Sequence, residues 1–110
     1  MTLEDLQAMC RKLDKVTEDI KWGHDLCFSI GGKMFLVTGA DEFPVSASFK
    51  ASDETFNELT EREGFIPAPY MARHKWVYVD DVNRLSKKEL QQLIHQSYEL
   101  VKSKLPKKKR

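Results

Sequence analysis

The fold of this chain is decided by residues 22–37, whose sequence is WGHDLCFSIGGKMFLV. Gly31 and Gly32 lie between two apolar runs. The two-residue turn of a β-hairpin needs positive φ angles, which glycine adopts without a Cβ clash. The stretch therefore predicts a hairpin with one strand at 25–30 and a second strand beginning at Lys33.

Side-chain alternation along this hairpin predicts one buried face and one open face. A two-residue turn fixes the register, and the pairs expected on the buried face are Ile30 with Lys33, Phe28 with Phe35 and Leu26 with Val37. The residues expected on the more open face are Cys27, Ser29, Met34 and Leu36. Lys33 is expected at the rim, where its stem packs and its ammonium reaches water.

Length and composition indicate one globular domain. The chain has 110 residues, 41% of them hydrophobic and 32% charged, which are ordinary values for a folded protein. The predicted domain covers residues 1–105, and residues 106–110 are predicted to be a basic disordered tail. The apolar runs are far shorter than the roughly 20 residues that a membrane helix needs. Glu4 and Asp5 exclude a signal-peptide n-region, so a cytoplasmic location is expected.

Charge and cysteine content narrow the function classes. The net charge is +1, but without Lys107–Arg110 the chain has 14 basic and 17 acidic residues, a balance of −3. A general polyanion-binding surface is therefore not implied, and any nucleic-acid contact needs local clustering or the tail. Cys10 and Cys27 are too few for a disulfide framework and are expected to be reduced thiols.

The flanking segments predict an α+β fold. Helices are predicted at about 3–13, from Ser52 to Gly64, and from the capping box at Ser86 to the residue before Pro106. Further strands are predicted at about 45–49 and 75–79. Residues 14–21 fit a connection or a short edge strand, and residues 66–70 are expected to cross the sheet surface. The predicted architecture is two-layered, an antiparallel sheet with helices on one face in the order α-β-β-β-α-β-α, with room for a further short strand.

Several short motifs resemble the MmcQ/YjbR family of small bacterial proteins. They are Trp22-Gly23, Gly31-Gly32-Lys33-Met34-Phe35, Phe49-Lys50, Gly64-Phe65, Pro67-Ala68-Pro69-Tyr70, Lys75-Trp76-Val77, Ser97-Tyr98 and Lys104-Leu105-Pro106-Lys107-Lys108. The resemblance implies a fold related to CyaY and the secretion chaperones. Members of the family are often described as DNA-binding by analogy between folds, with two hairpins proposed to grip a duplex. The resemblance therefore implies DNA binding.

Basic and aromatic residues at strand ends suggest a nucleic-acid site. The candidate cations are Lys33, Lys50, Arg73 and Lys75, and the candidate stacking residues are Trp22, Tyr70 and Trp76. The hypothesis is that they bind double-stranded DNA, with Lys107–Arg110 as a flexible cationic arm. The alternative is that the aromatic residues belong to the core and the cations to a solvated rim. In that case the basic tail serves only to keep the protein in solution.

Other kinds of site have weaker support. His24 and Cys27 have a two-residue ligand spacing, but no second pair completes a tetrahedral metal site. Cys27 with His24 or His74, or Asp80 with Asp81, offers catalytic groups without a matching substrate. No catalytic residue, metal or cofactor is therefore expected, and the chain is interpreted as a non-enzymatic module.

A protein- or small-ligand-binding surface is the second hypothesis. It would use the open sheet face, with Met34, Leu36 and residues 67–70 forming an apolar patch. The chain is then expected to be a monomer or a weak dimer.

Overall fold

This computed structural model describes residues 2–41, 43–69 and 74–105, which form three helices and six strands in the order α-β-β-β-β-α-β-β-α. The helices are α1 (Leu3–Arg11), α2 (Asp53–Leu59) and α3 (Lys87–Lys102). The strands are β1 (Val16–Lys21), β2 (Asp25–Ile30), β3 (Lys33–Gly39), β4 (Ala47–Lys50), β5 (Phe65–Pro67) and β6 (Trp76–Val79). A 3-10 turn, Val82–Arg84, precedes α3.

The six strands form one antiparallel sheet in the order β1-β2-β3-β4-β6-β5. All three helices contribute to a single core with the sheet, so the predicted α+β class is confirmed. The largest fully buried side chains of this core include Phe28, Phe35, Phe49, Leu6, Leu90 and Ile94. The sheet thus has one face under the helices, and its outer edges are β1 and β5.

Residues 16–21 and 65–67 form the two edge strands of the sheet. Residues 16–21 form β1, which is the edge-strand alternative for that region. Phe65–Pro67 forms β5 and pairs with β6, so the expectation that residues 66–67 cross the sheet surface is wrong. Pro67 is tolerated there because a proline on an edge needs no N–H donor on its outer side. Helix α1 ends at Arg11, two residues earlier than predicted.

The glycine turn is present, but the hairpin beyond it has a different register. Gly31 and Gly32 have φ angles of +59° and +82°, and Ile30 lies opposite Lys33 as predicted. A β-bulge then shifts the pairing, so that Phe28 lies opposite Leu36 and Cys27 opposite Val37. The predicted pairs of Phe28 with Phe35 and Leu26 with Val37 are wrong, because a bulge adds one residue to one strand.

The extra residue of the bulge is Phe35, and it changes which side chains are buried. Phe35 and Leu36 are consecutive, yet both side chains are fully buried in the core. The predicted placement of Leu36 on an open face is therefore wrong. Cys27 also has no exposed surface, whereas Met34 is half-buried.

Ser97 of α3 bridges a gap between β3 and β4. These strands pair only at Leu36 with Phe49 and at Val37 with Ser48. The next pair in register would be Phe35 with Lys50, but the Ser97 hydroxyl takes the place of that contact. Its Oγ donates to the carbonyl oxygen of Phe35 at 2.5 Å and accepts from the backbone N–H of Lys50 at 3.0 Å.

The C-terminal half of α3 is fixed at two further points. The Tyr98 hydroxyl donates to the carbonyl oxygen of Asp14 at 2.6 Å, and its ring meets Phe35 edge-on at 5.5 Å. Just beyond the helix, Leu105 packs against the glycine turn, and a Cβ on Gly31 would lie 2.6 Å from Leu105 Cδ1. The end of α3 and the β2–β3 turn are thereby held side by side.

We expect Ser97→Ala to lower the free energy of unfolding by about 1–3 kcal/mol, because it leaves a buried N–H and a buried C=O without a partner. Urea unfolding measures this change. The matched control is Ser103→Ala, since the Ser103 hydroxyl donates to the carbonyl oxygen of Leu100 at the exposed end of the same helix. The control should change stability by less than about 0.5 kcal/mol. Equal effects of the two changes would contradict a structural role for the bridge.

Candidate anion-binding cleft

The basic cleft lies at the end of the sheet where β3 and β4 separate. Its volume is about 410 Å³. The lining residues come from the start of β3, the end of β4, the start of β6 and the last turns of α3, and they are Lys33, Met34, Lys50, His74, Trp76, Val101 and Lys104. None of these seven lining residues, all within the described part of the chain, is Asp or Glu.

Three lysines form the cationic rim of the basic cleft. Lys33 follows the glycine turn, Lys50 ends β4, and Lys104 follows α3. The ends of an α-helix carry partial charges, and cations are stabilised near the negative C-terminal end. The end of α3 therefore favours positive charge at this position.

Lys50 is the most constrained of the three cations. Its Nζ donates to the carbonyl oxygen of His74 at 2.7 Å, which fixes the side chain over the cleft. Burial lowers the pKa of Lys50, the nearby charge of Lys104 lowers it further, and Asp53 opposes both effects. Desolvation and a like charge both disfavour the protonated amine, so an anion between Lys50 and Lys104 would be stabilising.

The floor of the basic cleft is apolar. Trp76 is the cross-strand neighbour of Lys50 and is only 5% exposed. Met34 contributes from β3 and Val101 from α3. Val101 follows Ser97 by four residues on α3, so the two side chains share one face of the helix. Cationic and apolar groups therefore share one concave surface.

The structure brings together some of the predicted nucleic-acid-binding residues. Lys33, Lys50 and Trp76 line the same cleft. Arg73 and Tyr70 lie outside the described residues, as does the predicted basic tail 106–110.

Two other predicted residues do not line this cleft. Lys75 lies over the Phe56 ring, with its Nζ 5.0 Å from the ring centroid. Trp22 is in the β1–β2 turn, 66% exposed, at the opposite end of β2 from Lys33. Six strand residues separate the ends of β2 by about 20 Å, so Trp22 does not lie beside Lys33, and its role in nucleic-acid binding stays a prediction.

Sequence reasoning did not assign Lys104 and Val101 to the site. Val101 belongs to the last turn of α3, and Lys104 follows in a turn whose backbone N–H donates to the carbonyl oxygen of Val101 at 3.1 Å. The helical pattern alone does not reveal which strand ends this part of the chain meets. The missing information is how α3 packs against the ends of β3 and β4, where Ser97 contacts both strands.

Cys27 and the pair Asp80 with Asp81, which are candidate catalytic groups in the sequence, have local partners in the structure. The Cys27 thiol donates to the carbonyl oxygen of Asp25 at 3.8 Å. The other cysteine, Cys10, is buried in the core, and burial raises its pKa to about 12. Burial also raises the pKa of Cys27. Asp80 pairs with Arg84 at 2.6 Å, while Asp81 accepts from the backbone N–H of Asn83. These carboxylates stabilise the 3-10 turn.

Two further features of the described residues bear on function. No group of three or more His, Cys, Asp or Glu side chains within ranges 2–41, 43–69 and 74–105 is placed to hold a metal ion. In the same ranges, no helix has both the length and the apolar character to span a membrane.

The fold and the cleft define a class of small α+β domains with an open six-stranded antiparallel sheet and helices on one face. Within that class, the chain belongs to the YjbR family, whose model matches residues 11–100. The resemblance to this family is thus confirmed. Among curated proteins, none matches the chain.

Two solved structures are similar to this chain. One is the crystal structure of the Deinococcus radiodurans protein DR2400, with a domain named DUF419. It is 25% identical, with a TM-score of 0.85 over 94% of this chain and 80% of that one. The other is a Pseudomonas syringae protein, 20% identical, with a TM-score of 0.75 over 92% of this chain and 99% of that one. The second likeness supports the fold alone.

We expect Lys104→Ala to raise the pKa of Lys50 toward its ordinary value, because the change removes a nearby like charge. Burial remains and keeps the pKa of Lys50 below that value. A pH titration of the lysine ε-carbon NMR signals measures the shift. The matched control is Lys102→Ala, whose Nζ lies 5.6 Å from the centroid of the Tyr98 ring. An equal rise in both variants would contradict a specific effect of Lys104.

Proposed function

We propose that the protein binds DNA through its phosphate backbone at the basic cleft, with double-stranded DNA as the ligand. The observation that supports this proposal is the convergence of Lys33, Lys50 and Lys104 on one concave surface. Phosphate is an anion that lysine binds as a point charge, and backbone contacts need no particular base sequence. Binding is therefore expected to show little sequence preference.

The charge arrangement around Lys50 favours an anionic ligand over a neutral one. Two cations placed side by side in a partly buried site repel each other, and a phosphate between them removes that repulsion. A neutral ligand would remove water from the lysine ammonium groups without supplying a negative charge to compensate. The proposal thus relies on the cationic rim and not on the net charge of the chain, which is close to zero.

The basic residues that follow Leu105 in the sequence extend the proposed site. Leu105 packs beside the glycine turn at the cleft, and Lys107–Arg110 begin two residues later. In the sequence, four further cations therefore follow within five residues of Leu105. A tethered charge acts at high effective concentration, so the tail should strengthen binding without a contact of fixed geometry.

We expect the affinity for a blunt duplex to fall steeply with salt, because each neutralised phosphate releases counterions. The three rim lysines alone give a slope of about −2.7 in log affinity against log salt, and the four tail cations extend it to about −6. Fluorescence anisotropy of a labelled duplex at several salt concentrations measures the slope. Removal of residues 107–110 should make it shallower while leaving a rim contribution of about −2.7.

The double variant Lys33→Ala/Lys50→Ala should make the slope shallower by about 1.8 and weaken binding to all duplex sequences alike. The matched control is Lys87→Ala, which removes the same charge at the other end of α3, about 25 Å from Lys104. The control should leave the slope close to that of the unmodified protein. Absence of duplex binding above background at low salt, or equal losses in the two variants, would rule out the proposal.

A further inference from the structure

Phosphate binding explains the rim of the basic cleft but not its floor. A backbone contact needs only cations or hydrogen-bond donors, yet Met34, Trp76 and Val101 give the cleft an apolar lining. An apolar floor beneath a cationic rim matches a ligand that joins an anion to a flat, largely apolar body. A nucleotide has this composition, because its base has a π-face and its phosphate is charged.

The size of the cleft suits a single small unit. Its volume of about 410 Å³ lies within the roughly 300–1,000 Å³ of small-ligand sites. A continuous duplex keeps its bases stacked, and extruding one from the stack is unfavourable. A duplex can therefore meet the rim alone, whereas an unpaired base can also reach the floor.

We infer that the floor of the basic cleft receives one unpaired base while the lysines hold an adjacent phosphate, so that the protein prefers single-stranded DNA to a blunt duplex. This inference rests on the proposed function and specifies the nucleic-acid form that the same site selects. The ligand class is a nucleotide unit with a free base.

The register of β4 and β6 places both contacts within reach of one nucleotide. Lys50 and Trp76 lie directly opposite each other, and Cβ atoms in such pairs are about 5 Å apart. Lys50 Nζ is held by the carbonyl oxygen of His74, so the cation stays beside the apolar floor. One base contact of this kind should favour the single strand by about fivefold or more.

The chain has its own reporter for this contact. It contains two tryptophans, and Trp22→Phe leaves Trp76 in the cleft as the only one. We expect thymidine 5′-monophosphate and a short thymidine oligonucleotide to change the emission of Trp76. Inorganic phosphate and a blunt duplex, which lack a free base, should leave the emission nearly unchanged. Labelled oligonucleotides give the two affinities at the same salt concentration.

A matched pair of variants separates the floor from the rim. Met34→Ala should abolish the preference, so that single strand and duplex bind with about equal affinity, without changing the salt slope of duplex binding. Met34→Gln keeps the side-chain length and should do the same, and thermal melting shows that each variant is folded. The control is Ile66→Ala, which removes a half-exposed apolar side chain on edge strand β5, outside the cleft.

The outcomes distinguish this inference from the proposed function. Equal affinities for single strand and duplex, with no change in Trp76 emission, would overturn the base site and leave backbone binding in place. Binding of the monophosphate without any duplex binding would support the base site and overturn the backbone proposal. The base site would also be overturned if both Met34 variants kept the preference for the single strand and the change in Trp76 emission.

Discussion

The buried hydroxyl of Ser97 links β3 and β4 at the end where the two strands are no longer paired. A regular antiparallel ladder would instead pair Phe35 with Lys50, one step beyond Leu36 and Phe49. The hydroxyl satisfies both backbone groups, so the strands separate without leaving a buried donor or acceptor unpaired. At this end of the sheet, a side-chain hydroxyl thus takes the place of a direct hydrogen bond between the two strands.

The position of the lysines has an electrostatic consequence for the fold. Lys50 is partly buried and lies near Lys104, an arrangement that disfavours the charged form of the amine. Other lysines of the chain lie over aromatic rings, where the cation is stabilised; Lys75 over Phe56 and Lys102 over Tyr98 are examples. The contrast singles out Lys50, whose charged form is disfavoured by burial and by the neighbouring charge of Lys104.

Local sequence signals predicted the elements of the fold well, since their causes lie within a few residues. The glycine turn follows from φ preferences, and the capping box of Ser86 with Glu89 follows from helix-end hydrogen bonding. The bulge at Phe35 did not follow, because it buries the consecutive residues Phe35 and Leu36, whereas strand alternation predicts only one of them on the buried face. The cleft was therefore only partly predictable: strand ends located Lys33 and Lys50, whereas Lys104 required the tertiary position of α3.

The two edge strands of the sheet differ in length, but both have features that disfavour pairing with strands of other molecules. Strand β5 is three residues long and ends in Pro67, which offers no N–H for a further strand. Strand β1 is longer, but three of its six residues are charged. Exposed backbone edges are templates for aggregation, and short length, proline and charge are the usual protections. The sheet can therefore stay open at both ends without recruiting copies of itself into fibrils.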